Sequence, residues 1–295
     1  MESEVFNWNR FWRYFRSDFN SFISRYGITL LVLSTMAVTI DAFNGLFSSI
    51  ITGSWVGTVA PVRFILFGIF GVVVMLTAPG KLYGHLTDRR EGAAFLMLPV
   101  SKLEKFISMV VITGVVTPFI FGLIYMGLDI MVCMVDPTCG ESMFSQLFFT
   151  DFKSILASTI SPSDLQEWGP FMNNISSALT PFVYLDDIFQ VMMYFLLGAL
   201  IFKTSKTGKT LGCLILLALT VEMLLSPIMA FTIFRNFREL ADANFTGFTV
   251  DMFNDTFPLT AWMMRHLILV DTLWDTLLNS LLLFLIWLRL SKMKH

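Results

Sequence analysis

Few residues of this sequence are spaced for chemistry. The run Lys203–Thr210 ends in Gly208-Lys209-Thr210, the tail of a phosphate-binding loop. That loop needs a glycine five positions before the second one, and Lys203 stands there. No strand pattern precedes it and an apolar run follows, so it reads as a basic turn. Asp186-Asp187 opens a DDxxD diphosphate pattern, but Gln190 holds the closing position. His85, His266 and His295 lie far apart and build no HExxH helix, and there is no GxSxG elbow. Cys133, Cys139 and Cys213 are too few for a disulfide framework. Cys133 and Cys139 can pair if both lie outside a membrane, and free thiols are the simpler expectation. The expected inventory is therefore no catalytic residue, no metal and no cofactor.

What remains is a set of acids inside apolar runs: Asp41, Asp129, Asp186, Asp187, Glu222, Asp271 and Asp275. A charge at membrane depth is costly and normally faces a bundle interior or water. Glu222 lies deepest in its run. With Asp41 and Asn44 it forms the candidate intramembrane polar set. Asp271 and Asp275 lie four apart on one helix face near a span end, where interface solvation explains them.

The elements that must carry these acids follow from composition. Of 295 residues, 55% are hydrophobic and 14% charged, against about 25% charged in soluble domains. Mean hydropathy is +0.71. A net charge of -2 gives no basic field to recruit nucleic acid. A helix needs about 20 mostly apolar residues to span a bilayer. Six segments qualify, over Ile28–Ile50, Val62–Ala78, Phe106–Val135, Phe182–Phe202, Leu211–Phe234 and Leu267–Leu288. With the N-terminus inside, the inner segments collect most lysines and arginines. Only Arg63, Lys153, Arg235, Arg238 and Arg265 fall outside. That asymmetry predicts both termini on the cytoplasmic side of the membrane. The start of the chain has no cleavable signal pattern, so the first apolar run is expected to stay in the protein. The fold class is all-α integral membrane, with residues 1–26 as an amphipathic interfacial helix and residues 27–295 as a six-helix transmembrane domain.

Three stretches between the spans carry information. Trp8, Phe11, Trp12, Phe15, Phe19 and Phe22 follow helical spacing among Arg10, Arg13, Arg16 and Arg25, which suits a helix lying in the inner interface. The inner loop Gly80–Lys105 predicts a short helix over Gly92–Leu98, a break at Pro99, and a capping box from Ser101 to Glu104 that opens the third span. The short helix offers Phe95, Leu96 and Leu98 on the inner side. The outer segments 136–181 and 235–266 are long, acidic and rich in phenylalanine.

The string RREGAAFLMLPVSKLEKFIS, residues 89–108, resembles the segment between the second and third spans of type-2 ABC exporter permeases. In that family a short cytoplasmic coupling helix ends at a similar LPVS-like turn and docks on the ATP-hydrolysing subunit. The resemblance implies that Glu91, Phe95, Leu98, Pro99, Ser101 and Glu104 couple this chain to a separate ATPase, that Lys203–Thr210 makes a second contact, and that a second permease chain completes the transporter. The long outer segment 136–181 departs from the family's compact form. The alternative is a membrane sensor, immunity or assembly protein that transports nothing and works through its outer segments.

Overall fold

A computed structural model describes residues 6–88, 90, 92, 95, 97–136, 138–140, 142–145, 181–242 and 267–292. Among these residues all regular structure is helical. In chain order the helices are α1 (Trp8–Phe22), α2 (Ile28–Thr52), α3 (Ala60–Tyr83), α4 (Lys102–Val111), α5 (Thr117–Val135), α6 (Pro181–Ile201), α7 (Lys206–Asp242) and α8 (Leu267–Lys292). Five stretches among the described residues are long and apolar enough to cross a membrane: Trp8–Thr52, Val62–Thr87, Lys102–Val135, Lys206–Leu224 and Thr272–Lys292. This is the architecture of a multi-pass membrane protein. Large apolar side chains are left uncovered on these helices, Ile28, Ile50 and Val135 among them. In water such a surface is a liability; against lipid tails it is the expected exterior. Most of both outer segments, 136–181 and 235–266, falls outside the described residues.

The sequence predicts a separate N-terminal helix before the first span. In the structure α1 passes into α2 through a π-helical turn, Ile23–Gly27, with no break in the helix. Asn7 starts it: its side chain accepts from the Asn9 and Arg10 amides at 3.1 and 3.3 Å, filling two of the orphan donors of a helix N-terminus. Gly53 ends α2 at φ 72°, the left-handed conformation in which glycine closes helices.

The chain divides into two compact units. One comprises residues 1–150, 185–210 and 278–295, and the other residues 151–184 and 211–277. The first holds a single core, in which Tyr26, Leu30, Val74, Ala78, Met109, Ile112, Met192, Met193, Leu196 and Ile286 are buried. These residues come from the α1–α2 junction, from α2, α3, α4, α6 and α8, and from the turn that follows α4. Of the second unit, the described helical residues belong mainly to α7 beyond Leu211 and to the first turns of α8.

The third span is interrupted. Between α4 and α5 runs a π-helical turn, Ile112–Val116. Pro118 explains it: proline has no N–H to donate, and its ring clashes with the carbonyl four residues back, here that of Gly114. Widening the turn separates the two, and the Thr117 hydroxyl donates to the Ile112 carbonyl at 2.8 Å. Gly114 is also where α6 comes closest. A Cβ there would sit 2.6 Å from the Phe189 ring and 2.8 Å from the Met193 methyl. Replacing Gly114 with alanine therefore overpacks the contact with α6 and should cost about 1–3 kcal/mol, read as a lower midpoint of thermal unfolding for the detergent-purified protein.

Candidate functional site

The inner loop sits on a buried carboxylate. Ser101 opens α4 by the expected capping box: its hydroxyl accepts from the Glu104 amide at 3.2 Å, and Glu104 accepts from the Ser101 amide at 3.1 Å. Glu104 does more than cap. It also accepts from the Asn7 amide at 2.8 Å and from the Arg10 guanidinium at 2.9 Å through both Nε and Nη2. The side chain is fully buried. Such a charge needs an opposite charge and hydrogen bonds on all sides, and α1 supplies them. Glu104, which the resemblance implies is part of a coupling element, faces inward and ties the loop to the N-terminus.

Its neighbour holds the other end of the loop. Lys105 is 3% exposed, and its ammonium donates to the Phe95 and Leu98 carbonyls at 2.8 and 3.2 Å. These are the final carbonyls of the loop's helical stretch, where a cation is favoured. Arg90, Gly92, Phe95 and Met97 are helical, and the Gly92 amide bonds the Asp88 carbonyl at 2.8 Å. Glu91 and Leu96 lie outside the described residues. Phe95 packs against the core. Ser101 is half-buried in its cap, and Pro99 is exposed in the break. Leu98 is 42% exposed and Met97, which the sequence reading passed over, is 83% exposed. Two consecutive apolar side chains thus point outward from a segment fixed at both ends.

Behind the loop lies a cavity of about 310 Å³ lined by Tyr14, Asp18, Arg25, Tyr83, His85, Phe95 and Leu98. Asp18 accepts from the Tyr83 hydroxyl at 2.9 Å and the Ser108 hydroxyl at 2.6 Å, binding α1 to α3 and α4. Arg25 meets His85 Nδ1 at 2.6 Å. Local spacing signals none of these pairings, because the partners are 60 to 90 residues apart.

A second polar centre closes the opposite end of the same unit. Arg63 and Asp129, both buried, pair at 2.6 Å. Arg63 also donates to the Cys139 carbonyl at 2.8 Å, and Asp129 accepts from the Met143 amide at 2.7 Å. Cys133 and Cys139 are joined in a disulfide, against the free thiols expected. The turn after α5 brings their Cα atoms within 5.1 Å, inside the reach of such a bond. Asp41 is 6% exposed and accepts from the Thr58 amide at 2.7 Å. It is a structural cap for the loop after α2. Asn44 is exposed, with a 3.4 Å contact to the Val56 carbonyl. Glu222, expected to line a pathway or make a structural hydrogen bond, is exposed on α7 with no hydrogen bond among the described residues. Asp41 and Asn44 belong to the first unit and Glu222 to the second. Beside Asp41 an apolar cavity of about 640 Å³ opens between α2 and α5, walled by Val38, Ala42, Leu128, Met131 and Val132.

Asp136 caps this end. Its carboxylate accepts from the Thr138 hydroxyl and amide at 2.7 and 2.8 Å and from the Trp55 indole at 3.0 Å. Burial pushes its pKa up; the Thr138 and Trp55 hydrogen bonds and the nearby Arg63 charge outweigh this and hold it below the usual carboxylate value. The sign follows: a depressed native pKa contributes stability above the unfolded value of about 3.9, and that contribution disappears as pH falls through the native one. Replacing Asp136 with asparagine should make the acid-unfolding limb less steep below about pH 4, measured by fluorescence in detergent. At the ion pair, Arg63→Ala strands Asp129 in a buried site and should cost about 3–5 kcal/mol, seen in denaturant unfolding of the same preparation.

No protein-family model, curated protein or solved structure matches this chain.

Proposed function

We propose that this chain is the membrane-spanning permease subunit of an ATP-binding-cassette transporter, working as an exporter with a separate ATPase and a second permease chain. In this reading α6 is a further span, which brings the number to six and puts both termini on the cytoplasmic side of a bacterial plasma membrane. Trp8 and Trp12, each at least half exposed, are then interfacial anchors of the N-terminal helix.

The observation that carries the reading is the mounting of the inner loop. Met97 and Leu98 project from a segment locked to α1 through Glu104 and to α4 through Lys105. A coupling element needs this combination: an apolar tip for a partner to grip, and a root stiff enough that force on the tip moves a membrane helix. The third span begins at that root. Glu222 supports the second chain, since an exposed carboxylate within a span requires a protein or water neighbour.

The test is affinity purification of the full-length protein from its native membrane, with co-purifying proteins identified by mass spectrometry. A stoichiometric soluble protein with a phosphate-binding loop is expected. Met97→Asp or Leu98→Asp should weaken its retention about tenfold with membrane insertion intact, whereas Glu104→Lys should lower the stability of the chain itself. Recovery of the wild-type chain without an ATPase overturns the reading in favour of a sensor or assembly protein.

A further inference from the structure

A third cavity, of about 290 Å³, lies where the end of α3 meets the start of α7, and Thr77, Gly80, Lys81, Ser205, Lys206 and Thr207 line it. It lies wholly within the first compact unit and shares none of its lining with the inner-loop cavity. Its chemistry is one-sided. Lys81 and Lys206 bring two ammonium groups and Ser205 a hydroxyl, with no carboxylate in the wall; the Thr77 and Thr207 hydroxyls already donate to the Val73 and Leu76 carbonyls at 2.7 and 3.3 Å. Among the described residues neither lysine forms an ion pair.

Each ammonium is held by one neutral oxygen. Lys81 donates to the Thr29 hydroxyl at 3.0 Å and Lys206 to the Gly84 carbonyl. An ammonium carries three donors, so both retain capacity. Lys206 and Thr207 also open α7, whose first-turn amides and positive dipole end add to the same field. Lys209, one turn on, bonds Thr204 at 2.8 Å.

Two like charges are kept together here without a counterion from the protein, so the complementary ligand is an anion. The position selects which one. Thr77 lies in the last turn of the apolar run Val62–Ala78 and Lys81 one turn beyond it, the depth at which lipid phosphates sit. Basic pockets between membrane helices at that level bind anionic headgroups. We infer that this cavity binds a phosphate group, supplied by the headgroup of an anionic phospholipid in the adjacent leaflet. The basic turn Lys203–Thr210, whose spacing does not make a nucleotide loop, then holds a lipid phosphate.

The full-length chain, purified in a non-ionic detergent without any partner, is titrated with phosphatidylglycerol, with phosphatidylcholine of the same acyl chains, and with inorganic phosphate. Thermal unfolding and native mass spectrometry are the readouts. Phosphatidylglycerol should raise the unfolding midpoint and stay bound, and phosphatidylcholine should do neither. Lys81→Gln should weaken phosphatidylglycerol binding about fivefold, as should Lys206→Gln, whereas Lys292→Gln, on the same side but outside the cavity, should leave it unchanged. Lys206 also braces Gly84, so Lys81→Gln decides the matter if the other variant does not fold. Equal binding of the two lipids, or wild-type binding by Lys81→Gln, overturns the site. Stabilisation by inorganic phosphate at the concentrations where phosphatidylglycerol acts, lost in Lys81→Gln, reassigns it to a soluble anion and overturns the lipid. No ATPase enters the experiment, so its outcome is separate from that of the transporter reading.

Discussion

Glu104 sits without exposed surface where three parts of the chain meet, and every donor around it comes from a different one: the Asn7 amide before α1, the Arg10 guanidinium on α1, and the Ser101 amide at the end of the inner loop. A carboxylate this buried is destabilising unless its hydrogen bonds are complete. The geometry of the N-terminus, the inner loop and the start of the third span is therefore one problem with one solution. Lys105 and Asp18 extend it, the first by gathering the loop carbonyls and the second by joining α1 to α3 and α4. The apolar core beneath accepts many packings of similar energy. The polar contacts select among them.

The far end of the unit repeats the logic with different parts. Arg63 and Asp129 are buried together, and the loops after α2 and α5 are folded over them by Asp41, Asp136 and the Cys133–Cys139 bond. Between the two polar ends the helices touch mainly through apolar side chains, with a few polar contacts such as Tyr26 to Thr77 at 2.8 Å and Asn279 to Asp186 at 2.9 Å. In a bilayer the hydrophobic effect does not drive helices together, and packing with a few polar pairs must do so. Placing those pairs at the span ends, where water and loop amides can complete them, avoids stranding charge in the middle of the unit.

The features visible in the sequence are those written in local spacing. Apolar runs located the helices, and Ser101 with Glu104 predicted the capping box that opens α4. Pro118, within the apolar run Phe106–Val135, is the available sign of the π-helical turn. The pairings of Glu104 with Arg10 and of Arg63 with Asp129 join residues 94 and 66 positions apart. No periodicity encodes such distances, so the sequence shows Glu104 only as the capping-box acid and Arg63 only as an outer cation. The disulfide was missed for the opposite reason: its cysteines are close in sequence, but only the turn after α5 aims them at each other. Met97 was passed over because a lone methionine between leucines carries no pattern; its exposure depends on how Lys105 and Pro99 orient the loop.

The unbroken helix from Trp8 to Thr52 spans 45 residues, roughly 68 Å at 1.5 Å per residue, about twice the hydrocarbon thickness of a bilayer. It holds the inner clamp through Arg10 and the outer knot through Asp41. A loop between two helices would let one end shift while the other stayed in place; this helix has no such joint. Any displacement imposed on its inner end must appear as tilt or rotation along its full length, or be absorbed by unwinding the π-helical turn at Ile23–Gly27. That five-residue turn is where the winding departs from the α-helix, so its stiffness sets how much of a movement at one end of the helix reaches the other.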